Sequence, residues 1–444
     1  MQSSLNVSVI LLITYMSGKA INPWTPYDEK EHSPCAIEWW CVEGFFKTLE
    51  NNKRWAVKGS FTELYKGEYG LGMNTNLTLF NLDEDTHTIY YFRDDERKLD
   101  IIEKPFTIKF KDTYIQGKYP LYKIKFKDPK NKIDLYLNYN AKAMPHWVSQ
   151  DVSNGYLPMG SGFYRYGFIP RIKLDGKLII KDKSFNIEGE GYFEHVWGNI
   201  SYINPLLNIS ELKKSIEIYS KLVGWWIKNH KPKIPRSLVF STENNPFGYD
   251  WVWAILDNGW SIFYGNILFF VMKGPIAGTL ILTKDGEKYT EFCNVTFEYI
   301  TREYSKKYDI YYPTEIRAVA KKGEEKLVLN FKNTNKISKL ICPIKYRKKI
   351  WTAFVIYEEP GEVNGYYQNG ENKVSLSGKC KIEPQRHISK LGHNSVKFDF
   401  IKPPEGIGLS ANFDLHYLRK KIETTLKFTP LPHFKFYFSK IKKI

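Results

Sequence analysis

Residues 37–197 alternate short apolar segments with turn residues, and this pattern restricts the fold more than any other feature. Segments rich in β-branched and aromatic residues occur at 55–65, 76–81, 88–93, 106–110, 122–126 and 133–139. Runs of this length and composition predict β-strands. Parallel strands would need long helical crossovers, which the region lacks. We therefore expect an antiparallel barrel or sandwich.

A second series of strands is predicted after residue 248. Asp257-Asn258-Gly259 lies between alternating apolar residues, which is a strong hairpin signal. Further turns are expected at 284–286 and 322–324, and Glu358-Glu359 is interpreted as a hairpin turn before Pro360. The predicted fold class is all-β and mainly antiparallel, in two halves.

One segment breaks the strand pattern. Residues 204–230 carry apolar side chains at helical spacing after Pro205, and Pro232 follows them. The spacing predicts a single amphipathic helix, inserted between the halves. It would either pack between them or lie at a membrane interface through Trp225-Trp226 and the flanking lysines.

The length of 444 residues exceeds that of one ordinary domain. The chain has 31 Tyr, 28 Phe and 12 Trp, an enrichment that favours sheets and apolar cavities. We expect an N-terminal segment (1–21), a first β-domain (22–202), a helical connector (203–236), a second β-domain (237–400) and a basic, aromatic C-terminal segment (401–444).

The net charge of +17 bears on the choice of partner. Lysines are spread along the chain and no nucleic-acid-binding motif occurs, so nucleic acid is disfavoured. An anionic membrane surface fits better, and the C-terminal segment could lie on one or form a terminal strand. We expect a cytoplasmic or peripheral membrane protein. Secretion is the alternative, because the apolar run at 7–16 has the length of a signal-peptide core. No basic residues precede this run, however, which argues against a signal peptide.

The cysteines are five in number and widely scattered: Cys35, Cys41, Cys293, Cys342 and Cys380. This spacing argues against a zinc site and a full disulfide framework. Cys35 and Cys41 could pair, but reduced or buried thiols are favoured. We expect no metal and no cofactor.

Several motifs occur in a distinctive order: Glu38-Trp39-Trp40, Gly160-Ser161-Gly162-Phe163-Tyr164, a Gly-x-Gly-Tyr-x-acid-His-x-Trp-Gly segment at 189–198, and Gly248-Tyr249-Asp250-Trp251. In this order they resemble the AttH/CrtC family, which is related to carotenoid 1,2-hydratases. The resemblance spans residues 22–400. It implies two lipocalin-like (calycin) barrels that bind a long apolar molecule, such as an isoprenoid or another lipid.

The resemblance also implies acid catalysis of hydration, without metal or nucleotide. The residue matching the hydratase acid is Glu194, where an Asp is expected, and Tyr192 shares its strand face. A His-x-Trp pair of the hydratases is replaced by Tyr164-Arg165-Tyr166, which removes an imidazole. Phe193, His195 and Trp197 lie on the opposite face. One set would face the cavity and the other would pack between the halves.

Glu38 is a further carboxylate of interest. It could be a second buried acid, or it could pair with Arg171 or Lys58, and the ion pair is favoured. We interpret His146-Trp147 as a strand end or lid. The predicted catalytic residues are Glu194 and Tyr192. The predicted substrate-binding residues are Tyr164, Tyr166, Trp40, Glu38, Trp197, His195 and Trp251.

Three functions remain open. The favoured one is lipocalin-like binding of a long apolar molecule, with membrane association. The second is a cofactor-independent hydratase or cyclase of a prenyl- or carotenoid-type substrate. The third is a structural or partner-binding protein whose barrels are filled by their own side chains. A cavity containing Tyr192 and Glu194 would favour chemistry.

Overall fold

A computed structural model describes most of the chain between residues 24 and 443. The described residues are 24–32, 35–64, 73–94, 100–103, 106–159, 162–199, 209–230, 237–242, 248–267, 277–292, 294–334, 337–346, 349–389, 393–401, 407–418, 420–428 and 435–443. The sequence features at 1–21 therefore lie outside the described residues.

Antiparallel strands form nearly all of the first half. They are β1 (Ile37–Thr48), β2 (Arg54–Leu64), β3 (Met73–Asn81), β4 (Thr86–Asp94), β5 (Asp100–Glu103), β6 (Phe106–Phe110), β7 (Thr113–Lys118), β8 (Leu121–Asp128), β9 (Ile133–Ala141), β10 (His146–Trp147), β11 (Tyr156–Met159), β12 (Gly162–Ile180) and β13 (Lys183–Gly198). A short helix, α1 (Gln150–Ser153), and a 3-10 turn (Pro26–Glu29) accompany them.

The rest of the chain begins with the predicted amphipathic helix, which is confirmed as α2 (Ile209–His230). Its strands are β14 (Ser237–Ser241), β15 (Tyr249–Leu256), β16 (Ser261–Ile267), β17 (Ala277–Thr283), β18 (Tyr289–Phe292), β19 (Asn294–Ser305), β20 (Ile310–Lys322), β21 (Glu325–Asn333), β22 (Ile337–Tyr346), β23 (Lys349–Asn369), β24 (Asn372–Ser389), β25 (Asn394–Ile401), β26 (Ile407–Leu415), β27 (Lys420–Phe428) and β28 (Lys435–Lys443), with a 3-10 turn at His416–Leu418.

The strands form two curled sheets and one smaller sheet. Strands β1–β13 make the first barrel, in which β1 lies between β2 and β13. Strands β15–β24 make the second barrel. Strand β14 pairs with β25 at one edge of a five-stranded sheet that continues through β26, β27 and β28. The predicted all-β, antiparallel fold in two halves is confirmed. Glu358-Glu359 lies inside β23 rather than at a turn, because the β23–β24 hairpin continues to Asn369.

Apolar side chains fill the interior of each barrel. Trp40, Phe126 and Phe193 belong to the first core, and Val252, Leu329 and Ile382 to the second. A third cluster, which includes Tyr166, Phe168, Tyr192, Trp251 and Phe263, lies between the barrels. Both faces of β1 and β13 are therefore buried. One face packs in the core of the first barrel, and the other packs in the cluster between the barrels.

The segments outside the two barrels also adopt defined structure. Ile218, Leu222 and Trp226 of α2 are buried at helical spacing, and Ser215 Oγ donates to the carbonyl of Gly162 at 2.9 Å. Among the described residues, no helix is long and apolar enough to cross a lipid bilayer. The C-terminal segment contains the strands β26–β28, as the strand alternative predicted. Cys35, Cys41 and Cys380 are free thiols, so Cys35 and Cys41 do not pair.

Candidate active site

A cavity of about 170 Å³ lies where the two barrels and α2 meet. Strands β1, β2, β12 and β13 contribute one wall, and β15, β16, β23 and β24 contribute the facing wall. Helix α2 covers one side with Leu222, Trp225 and Trp226. The aromatic side chains on the walls include Trp39, Tyr164, Tyr166, Trp251 and Phe263.

Glu194 lies on this wall because strand alternation directs it there. In β13, residues 192, 194 and 196 share one face, which is turned toward the second barrel. Glu194 pairs in register with Cys41 of β1 and with Phe168 of β12. Its side chain is central in the sheet and reaches the cavity between the barrels.

Three donors hold the carboxyl group of Glu194. Trp39 Nε1 donates to Oε1 at 2.9 Å, and the Tyr192 hydroxyl donates to Oε2 at 2.9 Å. The Tyr166 hydroxyl also donates to Oε2 and lies 3.1 Å from the Tyr192 hydroxyl. Tyr166 lines the cavity beside Glu194, whereas Tyr192 is fully buried behind it.

Opposing effects set the protonation of Glu194. Burial raises the pKa of Glu194 to about 7, against the lowering effect of the hydrogen bonds from Tyr166 and Trp39. The negative charge of Glu383 also raises this pKa, and Lys58 lowers it. Near neutral pH the group therefore exists in both forms, which suits a general acid.

The opposite face of β13 points into the first barrel. His195 is fully buried, stacks on Trp40 at 4.6 Å, and its Nδ1 donates to the carbonyl of Asp28 at 2.7 Å. Its Nε2 lies 2.8 Å from Glu38 Oε1, so a proton must lie between them. Burial would raise the pKa of Glu38, but hydrogen bonds from His195 and His32 lower it. Glu38 thus pairs with histidines, since it accepts from the His32 backbone N–H and shares a proton with His195 Nε2, and not with Arg171 or Lys58 as expected.

Within the part of the chain that the structure describes, two groups of side chains have the ligand types of a metal site. The atoms of His32, Glu38 and His195 lie within 4.8 Å of one another. Hydrogen bonds among them explain this spacing, so we assign them a structural role. The second group is His393, Asp414 and His416 on the C-terminal sheet, where His416 Nδ1 also lies 3.1 Å from Asp309.

The predicted site residues divide into two sets. Glu194, Tyr164, Tyr166 and Trp251 line the cavity, and Tyr192 contacts the Glu194 carboxyl. The second set is not on the cavity wall, because strand alternation turns its members away from the second barrel; it comprises Glu38, Trp40, His195 and Trp197. We expected one face of β13 to line the cavity and the other to pack between the halves, and this is wrong. The face of Tyr192 and Glu194 does both, whereas the face of His195 points into the first barrel.

Sequence reasoning missed a charged cluster at the cavity. Lys58 of the first barrel forms ion pairs with Glu383 and, at 3.2 Å, with Glu358 of the second barrel. Lys58 also lies 3.7 Å from Glu43, which pairs with Lys381 at 3.1 Å. Alternation could have indicated that Glu43 and Trp39 share a face of β1. No local sequence pattern indicated that Glu358 of β23, or Lys381 and Glu383 of β24, would join this cluster.

A second ionic group completes the far wall. Arg386 Nη2 donates to Asp250 Oδ1 at 2.7 Å, and Asn266 Nδ2 donates to Oδ2 at 2.9 Å. Asp250 is fully buried and lines the cavity. Its carboxylate is thus satisfied by donors on neighbouring strands, which fixes the geometry of this wall.

Comparison with known proteins gives a likeness in structure. No protein-family model matches the chain, and no curated protein sequence matches it significantly. A crystal structure assigned to AttH from Nitrosomonas europaea matches with a TM-score of 0.54 at 15% identity, covering 83% of this chain and 98% of that one. Kievitone hydratase from Nectria haematococca matches with a TM-score of 0.52 at 12% identity, covering 84% and 94%. The chain therefore has the tandem lipocalin-like fold of the AttH/CrtC-like family.

Proposed function

We propose that the protein is a cofactor-independent hydratase or cyclase, in which Glu194 protonates an alkene of an apolar, prenyl-type substrate. The observation that carries the proposal is a buried carboxyl group, with a pKa of about 7, on the wall of an aromatic cavity. A general acid works best with a pKa near the working pH. The name of the matched kievitone hydratase is consistent with this reaction class.

The chemistry requires one proton to leave and return. The alkene π pair takes the Glu194 proton and forms a C–H bond, and the O–H pair stays on the carboxylate. The neighbouring carbon becomes a carbocation. In a hydratase, a water oxygen bonds to this carbon and its proton returns to Glu194. In a cyclase, a second double bond of the substrate attacks instead, and proton loss to Glu194 forms a new alkene.

The surrounding side chains suit both the protonation of the alkene and the carbocation that follows. Trp39, Tyr192 and Tyr166 donate to the carboxyl oxygens, so they stabilise the carboxylate that forms when the proton leaves. Trp251 and Phe263 line the same cavity, and aromatic rings stabilise positive charge near their faces. In the resemblance, Tyr164 takes the place of the imidazole and Tyr166 that of the tryptophan, and here the Tyr166 hydroxyl positions Glu194 by donating to it.

A carrier without chemistry is the second candidate. The aromatic residues of α2 and the two barrels would hold an apolar molecule in any case. A carrier has no use for a buried carboxyl group whose pKa is raised to about 7, because this raised pKa lowers the stability of the folded protein at neutral pH. The cavity chemistry therefore favours catalysis over carriage.

The test uses prenylated and terpenoid alkenes incubated with the protein in deuterated or oxygen-labelled water. Protonation places deuterium on carbon, and only hydration places labelled oxygen in the product. Glu194→Gln should lower turnover at least about a hundredfold while sparing binding, because the amide has no acidic proton. Glu188→Gln is the matched control, since Glu188 lies on the same strand with an exposed side chain.

The rate should also depend on pH in one direction. Only the protonated form of Glu194 donates, so kcat should fall as pH rises through about 7. Turnover by Glu194→Gln equal to that of the wild type, or label absent from every product, would refute the proposal. Binding without label incorporation would favour the carrier.

A further inference from the structure

Two histidines and an aspartate meet on the C-terminal sheet, away from the cavity. Asp414 lies near the end of β26, and His416 follows two residues later at the start of a 3-10 turn. The neighbouring strand β25 pairs with β26 so that Asn394 lies opposite Leu415. This register brings His393, the residue before Asn394, beside His416. The ligand atoms of His393, Asp414 and His416 lie within 4.8 Å of one another.

Hydrogen bonding fixes the orientation of the His416 ring. Its Nδ1 lies 3.1 Å from Oδ1 of Asp309, which is in the turn between β19 and β20 of the second barrel. A carboxylate only accepts hydrogen bonds, so the proton between them belongs to His416 Nδ1. The Tyr304 hydroxyl also donates to Asp309 Oδ1 and holds this carboxylate in place. In the neutral ring, the other nitrogen, Nε2, therefore carries a lone pair.

The Nε2 lone pair of His416 faces a second acceptor. Asp414 Oδ1 lies 3.7 Å from this nitrogen, which is beyond hydrogen-bond distance. This oxygen atom is buried and has no hydrogen-bond partner among the described residues, whereas Lys421 Nζ lies 3.4 Å from the other oxygen, Oδ2. Two acceptors that face one another repel, and a cation between them removes the repulsion.

Aromatic packing holds both imidazole rings. The centroids of the His393 and His416 rings lie 4.9 Å apart, with the planes at 79°. Tyr311 of β20 packs edge-to-face with His393 at 5.2 Å, and Tyr304 of β19 lies 6.5 Å from His416. The β19–β20 hairpin therefore contacts both histidines. Rings that are already positioned in this way lose little freedom when they bind an ion.

The ligand types and distances fit a transition-metal ion. Two ligands about 2.1 Å from a tetrahedral zinc ion are about 3.4 Å apart, close to the 3.7 Å between His416 Nε2 and Asp414 Oδ1. Imidazole nitrogen suits zinc, whereas magnesium and calcium prefer oxygen ligands. A zinc-bound histidine almost always donates its other ring N–H to a carbonyl, water or carboxylate, as His416 donates to Asp309.

We propose that His393, Asp414 and His416 bind a zinc ion, with water in the fourth position and with Asp309 as the residue that orients His416. The ion joins β25 to β26, and Asp309 connects it to the second barrel. The proposal is independent of the proposed reaction, because none of these residues lines the cavity. Cysteine spacing could not indicate this site, because its ligands are imidazoles and a carboxylate.

The test uses the whole chain, without a polyhistidine tag, after EDTA has removed bound metal. Equilibrium dialysis against zinc, followed by elemental analysis, should give about one ion per chain, and excess magnesium should not displace it. Cobalt in the same site should show the strong visible absorption of tetrahedral coordination. A chain that binds no zinc would show that His416 holds only protons between its two carboxylates. That result, or displacement of zinc by magnesium, would overturn the proposal.

Variants assign the ion to the three side chains. His393→Ala, Asp414→Asn and His416→Ala each remove or weaken one ligand and should lower zinc affinity at least about a hundredfold. His87→Ala is the matched control, because His87 is exposed on β4 of the first barrel, and it should bind zinc like the wild type. Wild-type affinity in all three ligand variants would place the ion elsewhere and contradict the proposal. The cobalt spectrum of the wild type tests the site even if one variant fails to fold.

Asp309 is tested through the effect of zinc on unfolding. An ion that binds the folded chain raises the temperature of unfolding above its value in EDTA. Asp309→Asn should reduce this zinc-dependent rise and weaken zinc affinity about tenfold, because an amide orients His416 less firmly than a carboxylate does. An equal rise in Asp309→Asn and the wild type would overturn the role of Asp309, and no rise in the wild type would overturn the site.

Discussion

At the scale of single residues, Glu194 is held between burial and hydrogen bonding. Its side chain is enclosed by the two barrels, which favours the neutral acid, whereas Trp39, Tyr166 and Tyr192 donate to it and favour the carboxylate. A fully solvated glutamate would be ionised at neutral pH. Because burial opposes ionisation of Glu194, the folded protein is less stable at high pH than it would be with a solvated glutamate.

This cost can be measured without knowing the substrate. Because the folded pKa of about 7 exceeds the ordinary 4.5, the folded state binds the proton more tightly, and stability is lost as pH rises between these values. Glu194→Gln has no ionisable group at this position, so it removes this pH-dependent loss of stability. We expect its unfolding free energy, relative to the wild type, to rise by up to about 3 kcal/mol from pH 5 to pH 8.

Urea unfolding at the two pH values measures this difference. Glu188→Gln should show little change with pH, because its ion pair with Lys47 is exposed. A pH-independent difference for Glu194→Gln would mean that Glu194 keeps an ordinary pKa in the folded protein.

At the scale of elements, helix α2 serves both packing and the cavity. Ile218, Leu222 and Trp226 are buried at intervals of four residues, whereas Ile216 on the other face is 55% exposed. Such a stripe is the signature of a helix packed on one side. Leu222 and Trp226 also line the cavity, so the packed face of the helix forms part of the site.

Truncating this face should therefore destabilise the fold. Leu222→Ala removes a buried side chain and should lower the unfolding free energy by roughly 2–5 kcal/mol. Ile216→Ala removes an exposed side chain of the same volume and should change it by less than about 0.5 kcal/mol. Thermal and urea unfolding compare the two. Equal effects would show that α2 does not pack in this orientation.

At the scale of the whole molecule, the two barrels meet through aromatic packing and a buried ionic group around Lys58. Lys58 and Glu383 are 325 positions apart in the sequence and form an ion pair. Burial would lower the pKa of Lys58, but the charges of Glu358, Glu383 and Glu43 raise it well above its usual value. Lys58 is therefore charged, and it neutralises carboxylates of both barrels.

Removing this cation should weaken the interface between the barrels. Lys58→Met leaves buried carboxylates uncompensated and should cost about 3–5 kcal/mol of unfolding free energy at pH 8. The cost should be smaller at pH 5, because protonation relieves the unpaired carboxylates. Lys47→Met is the control, since its pair with Glu188 is exposed and contributes less than about 1 kcal/mol. If Lys58→Met left the unfolding free energy unchanged at pH 8, the buried ion pairs of Lys58 would be refuted.

Local patterns in the sequence were sufficient for several features. Alternation with period two indicated antiparallel strands, and apolar residues at helical spacing indicated α2. Alternation also predicted that Tyr192 and Glu194 share a face, as they do in β13. These features depend on backbone geometry that neighbouring residues impose on one another. The Glu358-Glu359 turn was wrong because local propensity does not report how far a hairpin extends.

The tertiary structure alone decided what each face meets. Alternation separates Glu194 from His195 but does not say which of them enters a cavity, because that depends on the second barrel packing on the first. The pKa of Glu194 and the charge of the cavity likewise arise from Glu383 and Lys58, which distant strands bring together. The sequence by itself determined the strands, the helix and the residues on each face. Long-range packing decided burial and charge, and burial and charge set the chemistry.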